Sequence, residues 1–489
     1  MKKLSIYASF LGLILMAGSC KKVTENLNTN PNDPTTVPYA LQLNGAEVAG
    51  ILIYEGNLAR VGGVFDGTFT GVDRQYVALQ NYNSTATDYN DTWDNLYSLV
   101  IAQYQIVDAQ AAAVNDKATI GISQILLAQA FGLAADVWGD VPFSQVGNPA
   151  LYPKPAFDKQ ADVYTGVLKL LDSAIANLNS GVGNGPGAKE FYFQGDAPSW
   201  IAIANTLKAR YYLHIKDYAD AITAAQSGIS SAAGNMMDPH SSDYTVDFNI
   251  YYAFLTYDRP GYMNSQGAYA ASLLNPGSSN YRGNAKTNET ARYNYLWQTG
   301  LNTGGLDPNV LCDFDWGNPT NQNGFFGGTT SFPLVTYSEN QLILAEAYLK
   351  QASPDMVSAL AALNTHRDYM NAGGYINTGY IPQGALYADY ALTDFAPGGI
   401  DNPASSGLTQ QQALLKEILT EKYVTLVGQI EQFNDVRRTH NYIGVPPNTG
   451  TQMPQRFLYA QDEINTNPNT PVQGVSSLFT PTTINATPY

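Results

Sequence analysis

Ala134-Ala135-Asp136-Val137-Trp138-Gly139-Asp140-Val141-Pro142-Phe143-Ser144 is the stretch where the chain changes character. Upstream, from about Thr119 to Val137, apolar residues recur at helical spacing, and so many are alanine that a neighbouring helix can approach closely. At Gly139-Asp140-Val141-Pro142 the pattern stops, because glycine follows the last periodic residue and proline cannot continue a helix. A long helix closed by a turn is therefore predicted here. The same reading extends in both directions. Trp93, Leu96, Tyr97, Val100, Tyr104 and Val107 stand at three- and four-residue steps and share one helix face. Gln160 to Leu178 is a further amphipathic stretch, ended by the glycine-rich break Gly181 to Gly187.

Residues 198–233 read as two helices divided near Asp217. Tyr218-Ala219-Asp220-Ala221-Ile222, with Ala224 and Ala225, resembles the later helix of a tetratricopeptide hairpin, although no clean period of about 34 residues runs through the chain. From Met236 to about Pro333 the pattern dissolves into Gly, Asn, Pro, Ser and Tyr. That is too long for a linker, so an ordered, loop-rich lobe is expected. Helices return at Tyr337 to Lys350, Met356 to Met370 and Leu408 to Phe433; in the last, Leu415, Ile418, Leu419 and Leu426 line a face. The fold class is mainly α: a helical scaffold, about 39–235 and 334–489, carrying loop-rich inserts at about 236–333 and 371–406, all in one domain from residue 39 to 489.

The N-terminus carries an address. Met1-Lys2-Lys3 is positive, and Leu4 to Met16 is apolar apart from Ser5 and Ser9, which is too short to span a bilayer as a helix. Ala17-Gly18-Ser19 then leads into Cys20, and the whole resembles a bacterial lipobox, with Ala17 where leucine is usual. Residues 1–19 read as a signal peptide, Cys20 as the lipidated residue, and 20–38, with Asn30-Pro31-Asn32-Asp33-Pro34, as an extended tether.

Composition removes several function classes. A net charge of −16 with only 13% charged residues leaves no basic stripe for a phosphate backbone, so nucleic acid is excluded as a partner. Besides Cys20 the only cysteine is Cys312, which rules out zinc sites built on several cysteines. The four histidines show no metal-binding spacing, and no cofactor fingerprint or nucleophile elbow is present. No catalytic residue, metal ligand or cofactor is indicated, structural calcium included. Asp88-x-Asn90-x-Thr92-x-Asp94 has Trp93 where a calcium loop demands glycine, and reads as a helix cap region. His214 reads as a packed histidine, and Asp313 with Asp315 as a solvated loop edge rather than a glycosidase pair. The excess is in aromatics: 34 Tyr, 18 Phe and 5 Trp, residues that suit surfaces both apolar and wet.

Several strings together resemble the SusD/RagB family of nutrient-binding outer-membrane lipoproteins. They are Asn26 to Pro34 behind Cys20; Ala134 to Ser144, with Trp138 for the commoner tyrosine; and Phe191 to Ile215, including Asn205-Thr206-Leu207-Lys208-Ala209-Arg210. Tyr337 to Tyr348, Glu421-Lys422-Tyr423 through Thr439, and Pro454-Gln455-Arg456-Phe457 complete the series in family order. The resemblance implies four tetratricopeptide-like helix pairs, a loop-rich ligand face, and a SusC-like TonB-dependent barrel as partner. It also implies an outer-membrane location facing the cell exterior through the lipid anchor, and a binding protein rather than an enzyme.

The implied cargo is oligosaccharide; peptide cargo is the alternative within the family, and a surface glycosidase the alternative outside it. A sugar ring needs an aromatic platform and hydrogen-bonding side chains at its edge. Two clusters supply that mix: Asp73-Arg74-Gln75-Tyr76 with Asn81-Tyr82-Asn83, and a lobe set of Tyr262, Tyr293, Tyr295, Trp297, Asp313, Trp316, Phe325 and Phe326. Asp73, Arg74, Tyr76, Trp297 and Trp316 are the expected ligand contacts, with Trp93, Trp138 and Trp200 expected in the interior.

Overall fold

The computed structural model describes residues 37–243, 247–300, 304–313 and 322–489. Its centre is the helix Lys117–Trp138, which is buried along most of its length. Asp116 starts it, accepting from the Thr119 amide at 3.3 Å and the Thr119 hydroxyl at 2.8 Å. Gly139, at φ 87°, ends it. The small residues inside it set the packing distance. A Cβ at Gly132 would lie 2.2 Å from the Tyr211 ring, and one at Gly121 would lie 2.7 Å from Leu178. Two helices therefore sit against this one at close range, Ala197–His214 and Gln160–Asn179.

Successive helices run antiparallel. Gln160 Nε2 donates to Ala135 O and Asn177 Nδ2 to Gln124 Oε1, while Lys208 meets Asp172 and Tyr211 lies beside Tyr164. The scaffold comprises four helix pairs: Ala102–Ala113 with Lys117–Trp138, Gln160–Asn179 with Ala197–His214, Tyr218–Gln226 with Tyr337–Lys350, and Met356–Asn371 with Gln410–Thr425. Asp217 divides residues 198–233 as expected, its side chain accepting from the Asp220 amide at 3.2 Å.

Two helices differ from their predicted form. The Trp93 to Val107 face is buried, but a π-helical segment, Leu96–Ile101, separates Asn90–Asn95 from Ala102–Ala113. The single helix expected at 408–433 is two, Gln410–Thr425 and Ile430–Arg438. The break is at Gly428, whose φ of 83° needs glycine and whose carbonyl accepts from Tyr251 Oη at 2.7 Å.

The strings quoted above meet inside the scaffold as buried ion pairs. Arg210 grips Glu339 through two bonds of 2.6 and 2.7 Å, and Arg438 grips Glu346 likewise. His214 lies between Asp136 (2.7 Å) and Glu431 (2.6 Å). Arg437 donates to the carbonyls of Asp136 and Gln455. Asn26 to Pro34 lies outside the described residues; each of the other blocks supplies half of a bond that another block completes, which is a scaffold role.

Among its described residues the lobe holds three short α-helices, Ile250–Ala253, Tyr269–Leu274 and Thr290–Leu296, a π-helical segment, Phe254–Asp258, and short antiparallel ladders. Its buried rings continue the core of the scaffold, Phe326 lying 5.8 Å from Phe69. Tyr295, Phe325 and Phe326 are buried, with Phe325 5.7 Å from Tyr295 and 4.9 Å from Phe326. The ladder of Thr70–Gly71 with Met263–Asn264 stitches the lobe to the N-terminal helices.

Candidate ligand clefts

That ladder positions the first cleft. Val72 N and Asp73 N both donate to Tyr262 O, so the loop carrying Asp73 and Arg74 is pinned to the lobe. Asp73 caps the helix Arg74–Gln80 by accepting from the Arg74 amide at 2.9 Å. Both side chains of that pair stay exposed, and the Arg74 guanidinium stands 5.6 Å from the centre of the Tyr262 ring. Arg259 faces the same ring at 5.9 Å.

Tyr76 turns inward. It is 2% exposed, its ring lies 5.2 Å from Phe254, and its hydroxyl accepts from Arg60 Nε at 3.1 Å. Arg60 rests over Phe254 at 4.2 Å, and among the described residues its Nη1 finds no acceptor. These groups floor an open cleft of about 480 Å³, within the range of about 300–1,000 Å³ usual for small-ligand sites. Asn57, Gln75, Asp88, Asp91, Asp258 and Arg259 line its sides. Tyr257, 52% exposed, follows Phe254 on the same lobe segment. Amide and guanidinium donors thus alternate with carboxylate acceptors over an apolar floor, a pattern that grips hydroxyl groups without demanding charge.

The other expected contacts lie elsewhere. Trp297 is 2% exposed; its indole N–H donates to Ser265 Oγ at 3.1 Å and its ring is 5.7 Å from Tyr293. Ser265 and Tyr293 line a second cleft of about 370 Å³, so Trp297 braces that wall from behind. Tyr82 is buried too, its hydroxyl accepting from the Asn448 amide. Trp93, Trp138 and Trp200 are interior, as expected. Cys20, Trp316 and Asp315 lie outside the described residues. Of the expected contacts, Tyr76 lines the first cleft, Asp73 and Arg74 stand beside it, where Arg74 and the cleft residue Arg259 face the same Tyr262 ring, and Trp297 lies behind the second cleft. Arg60, Phe254, Asp258 and Arg259 were not among the expected residues. One sequence signal for Arg60 was available: it is the only charged residue in the helix Asn57–Phe65.

One buried group of side chains has the composition of a metal site, namely Asp136, His214 and Glu431, whose ligand atoms lie within 4.8 Å of one another. Its hydrogen bonds assign it otherwise. Both imidazole nitrogens face carboxylates, and Tyr164 also donates to Asp136. Burial pulls the His214 pKa down, but Asp136 and Glu431 outweigh burial and raise it to about 9. An imidazolium already occupies the position of a cation.

Comparison with known proteins agrees with this architecture. Residues 53–460 match the SusD-like family described as "Starch-binding associating with outer membrane". A SusD/RagB family protein from Bacteroides thetaiotaomicron superposes with a TM-score of 0.66 at 20% identity, covering 92% of this chain and 99% of that one. A SusD homolog from Parabacteroides distasonis gives 0.68 at 17%, again covering 92% and 99%. A chitin-binding protein gives 0.60 at 18%, covering 88% and 94%. No curated protein matches the sequence. With the helix pairs, the lobe and a family match over most of its length, the chain belongs to the SusD-like family.

Proposed function

We propose that the protein is a surface lipoprotein, anchored through Cys20, that captures oligosaccharide without cleaving it and passes it to a SusC-like TonB-dependent barrel. The observation that carries the reading is the floor of the first cleft. Arg60 Nη1 is a buried donor lacking an acceptor, set among Phe254, Tyr76 and facing carboxylates, and a sugar hydroxyl supplies what it lacks. Asp73, Arg74 and Tyr76 belong to this site, with Tyr76 holding Arg60 in place. Trp297 supports the neighbouring wall, and Trp316 is proposed as a further platform. The starch-binding description of the family and the chitin-binding neighbour favour glycan over peptide.

A docked protein partner is supported by a different face. Leu41, Val48 and Leu52 are exposed along the helix Tyr39–Tyr54, and Leu99 and Ile106 on the turns that pack beside it. Glu47, the one ionisable acid of that helix, is buried, so an apolar stripe lies open on a strongly acidic protein.

The test is calorimetric titration of the full chain in detergent with maltooligosaccharides, chitooligosaccharides and peptides. Saturable sugar binding is expected, weakened at least about tenfold, or about 1.4 kcal/mol, by Arg60→Ala, with the sugar recovered intact. Peptide-only binding would move the cargo assignment, cleaved sugar would overturn the non-catalytic reading, and no binding would overturn capture by this chain alone.

A further inference from the structure

A third cleft, of about 450 Å³, opens where the lobe segment Tyr269 to Asn284 meets residues 400–408 and the helix Gln410–Thr425. It is separate from the Arg60 cleft and shares no lining residue with it. Arg282 and Glu417 on its inner wall belong to a buried charge cluster that extends behind it. Arg282, with a side chain only 6% exposed, bonds Glu289 at 2.6 Å and Glu417 and Glu421 at 2.5 Å each. Arg292 bonds Glu289 and Glu421 at 2.9 Å, and Arg367 approaches Glu417 at 3.8 Å. Even so, Arg282 Nε has no acceptor among the described residues.

Three guanidiniums and three carboxylates cancel. Two further groups, Asp401 in the wall and His366 buried behind it, add no charge at neutral pH. Burial, reinforced by Glu417, pushes the Asp401 carboxyl up to about 8, so it is mostly protonated and donates as well as accepts. Burial lowers His366 below its usual value despite its bond to Glu421, so it is neutral. The mouth carries Lys416, exposed, and two half-buried rings, Tyr269 and Tyr281. A Cβ at Gly283 would fall 2.2 Å from the Tyr281 ring, so glycine is what allows that ring to lie on the backbone.

An anion entering this cleft meets Glu417 and, once ionised, Asp401; a cation meets Arg282 and Lys416. A neutral polyol meets donors and acceptors of both kinds and two aromatic rings. The geometry points to a second saccharide site, formed by Tyr281, Arg282, Asp401 and Lys416 at the lobe–scaffold junction, that takes a neutral sugar unit. This rests on the glycan reading above, and makes the protein a two-site binder.

The experiment is hydrogen–deuterium exchange on the full chain in detergent, with maltose, cellobiose or N,N′-diacetylchitobiose as probe, and chitosan disaccharide and digalacturonate as charged counterparts. At least one neutral disaccharide is expected to protect 278–284 and 400–417 as well as the Arg60 region. Lys416→Ala and Asp401→Asn should each weaken protection at the junction about tenfold and leave the Arg60 region unchanged; Tyr281→Ala should do the same if it folds, and the other two do not depend on it. Protection at the Arg60 region alone overturns this inference and keeps the first reading. Protection at the junction alone supports it and overturns the first cleft's assignment. Protection at neither overturns both, and preference for a charged probe at the junction overturns the neutral class.

Discussion

Replacing His214 by glutamine tests how the scaffold holds its interior. His214 is 3% exposed and bridges Asp136 on the helix Lys117–Trp138 to Glu431 on the helix Ile430–Arg438. Its pKa stands at about 9 in the folded protein against 6.5 in a free chain. At about 1.4 kcal/mol per decade, that difference contributes about 3 kcal/mol to stability. The folded pKa is the higher one, so the contribution is complete below the unfolded value and is lost as pH rises through about 9. Glutamine keeps a donor but removes the charge that bridges Asp136 and Glu431, leaving them to the more distant Arg437, Arg210 and Lys422; a loss of about 3–5 kcal/mol is expected at neutral pH. The assay is urea unfolding of wild type and His214→Gln on both sides of that window. Asp66, Asp238 and Asp401, pushed up to about 8 chiefly by burial, also favour the folded state less as pH rises, but between about 4 and 8. The difference between the two proteins therefore isolates His214. If the variant's unfolding free energy falls between pH 6.5 and 9 as steeply as that of wild type, the imidazolium bridge is not the source of the stability.

Three further outcomes are expected. Gly132→Ala drives a Cβ to within 2.2 Å of the buried Tyr211 ring, and overpacking should cost about 1–3 kcal/mol despite the better helix propensity, read as a lower urea midpoint. Arg438→Ala strips Glu346 of its bidentate partner. Burial alone would raise that carboxyl and Arg438 brings it to about 2, so a loss of about 3–5 kcal/mol is expected by chemical denaturation, with Arg438→Leu/Glu346→Leu much milder. Tyr76→Phe leaves Arg60 Nε without its acceptor, costing about 1–3 kcal/mol in thermal unfolding and loosening sugar binding at the first cleft; unchanged affinity would remove Arg60 from the site.

The helices were legible because several independent signals coincide at their ends. Asp116, Asp196, Asp217 and Asp355 each accept from a first-turn amide of the helix that follows, and the apolar period continues from there. Where one signal stood alone the reading slipped. Leu426 continues the apolar face of Gln410–Thr425 past its real end, and only Gly428 marks the break. The π-helical segment leaves the same apolar face in register, so periodicity is blind to it. The lobe was harder for a different reason. Tyr295, Trp297, Phe325 and Phe326 occupy loops, short strands and a single short helix, where no period says which way a ring points, and a lobe of nearly a hundred residues must bury some rings to hold itself together. The aromatic count could not separate platform from core. Asp73 and Arg74 interrupt an uncharged stretch, and Asp258 with Arg259, the only charged residues between Asp247 and Arg282, carried the same signal.

The placement of charge explains why scaffold and cargo site can differ so much in how readily they are recognised. In the quoted strings, Asp136, Arg210, Glu346, Glu421, Asp435 and Arg438 are all buried and all paired. Removing one partner of such a pair leaves an uncompensated charge in the interior and costs several kcal/mol, so the residues are held to each other across distant parts of the chain. Asp73, Arg74, Asp258 and Arg259 are exposed, and a surface pair such as Arg74–Asp73 at 3.6 Å contributes between about 0 and 1 kcal/mol. Substituting there leaves the fold almost untouched while changing which hydroxyls the first cleft can grip. The third cleft is built the other way. Its wall draws on the buried charge network that includes Arg282, Glu417 and Glu421, the last two on the helix Gln410–Thr425, so altering its ligand preference through those residues also strains the scaffold. Cargo specificity is therefore free to vary at the Arg60 cleft and tied to stability at the lobe–scaffold junction. Arg282→Met should accordingly lower both junction binding and the urea midpoint, whereas Arg259→Ala should change binding alone.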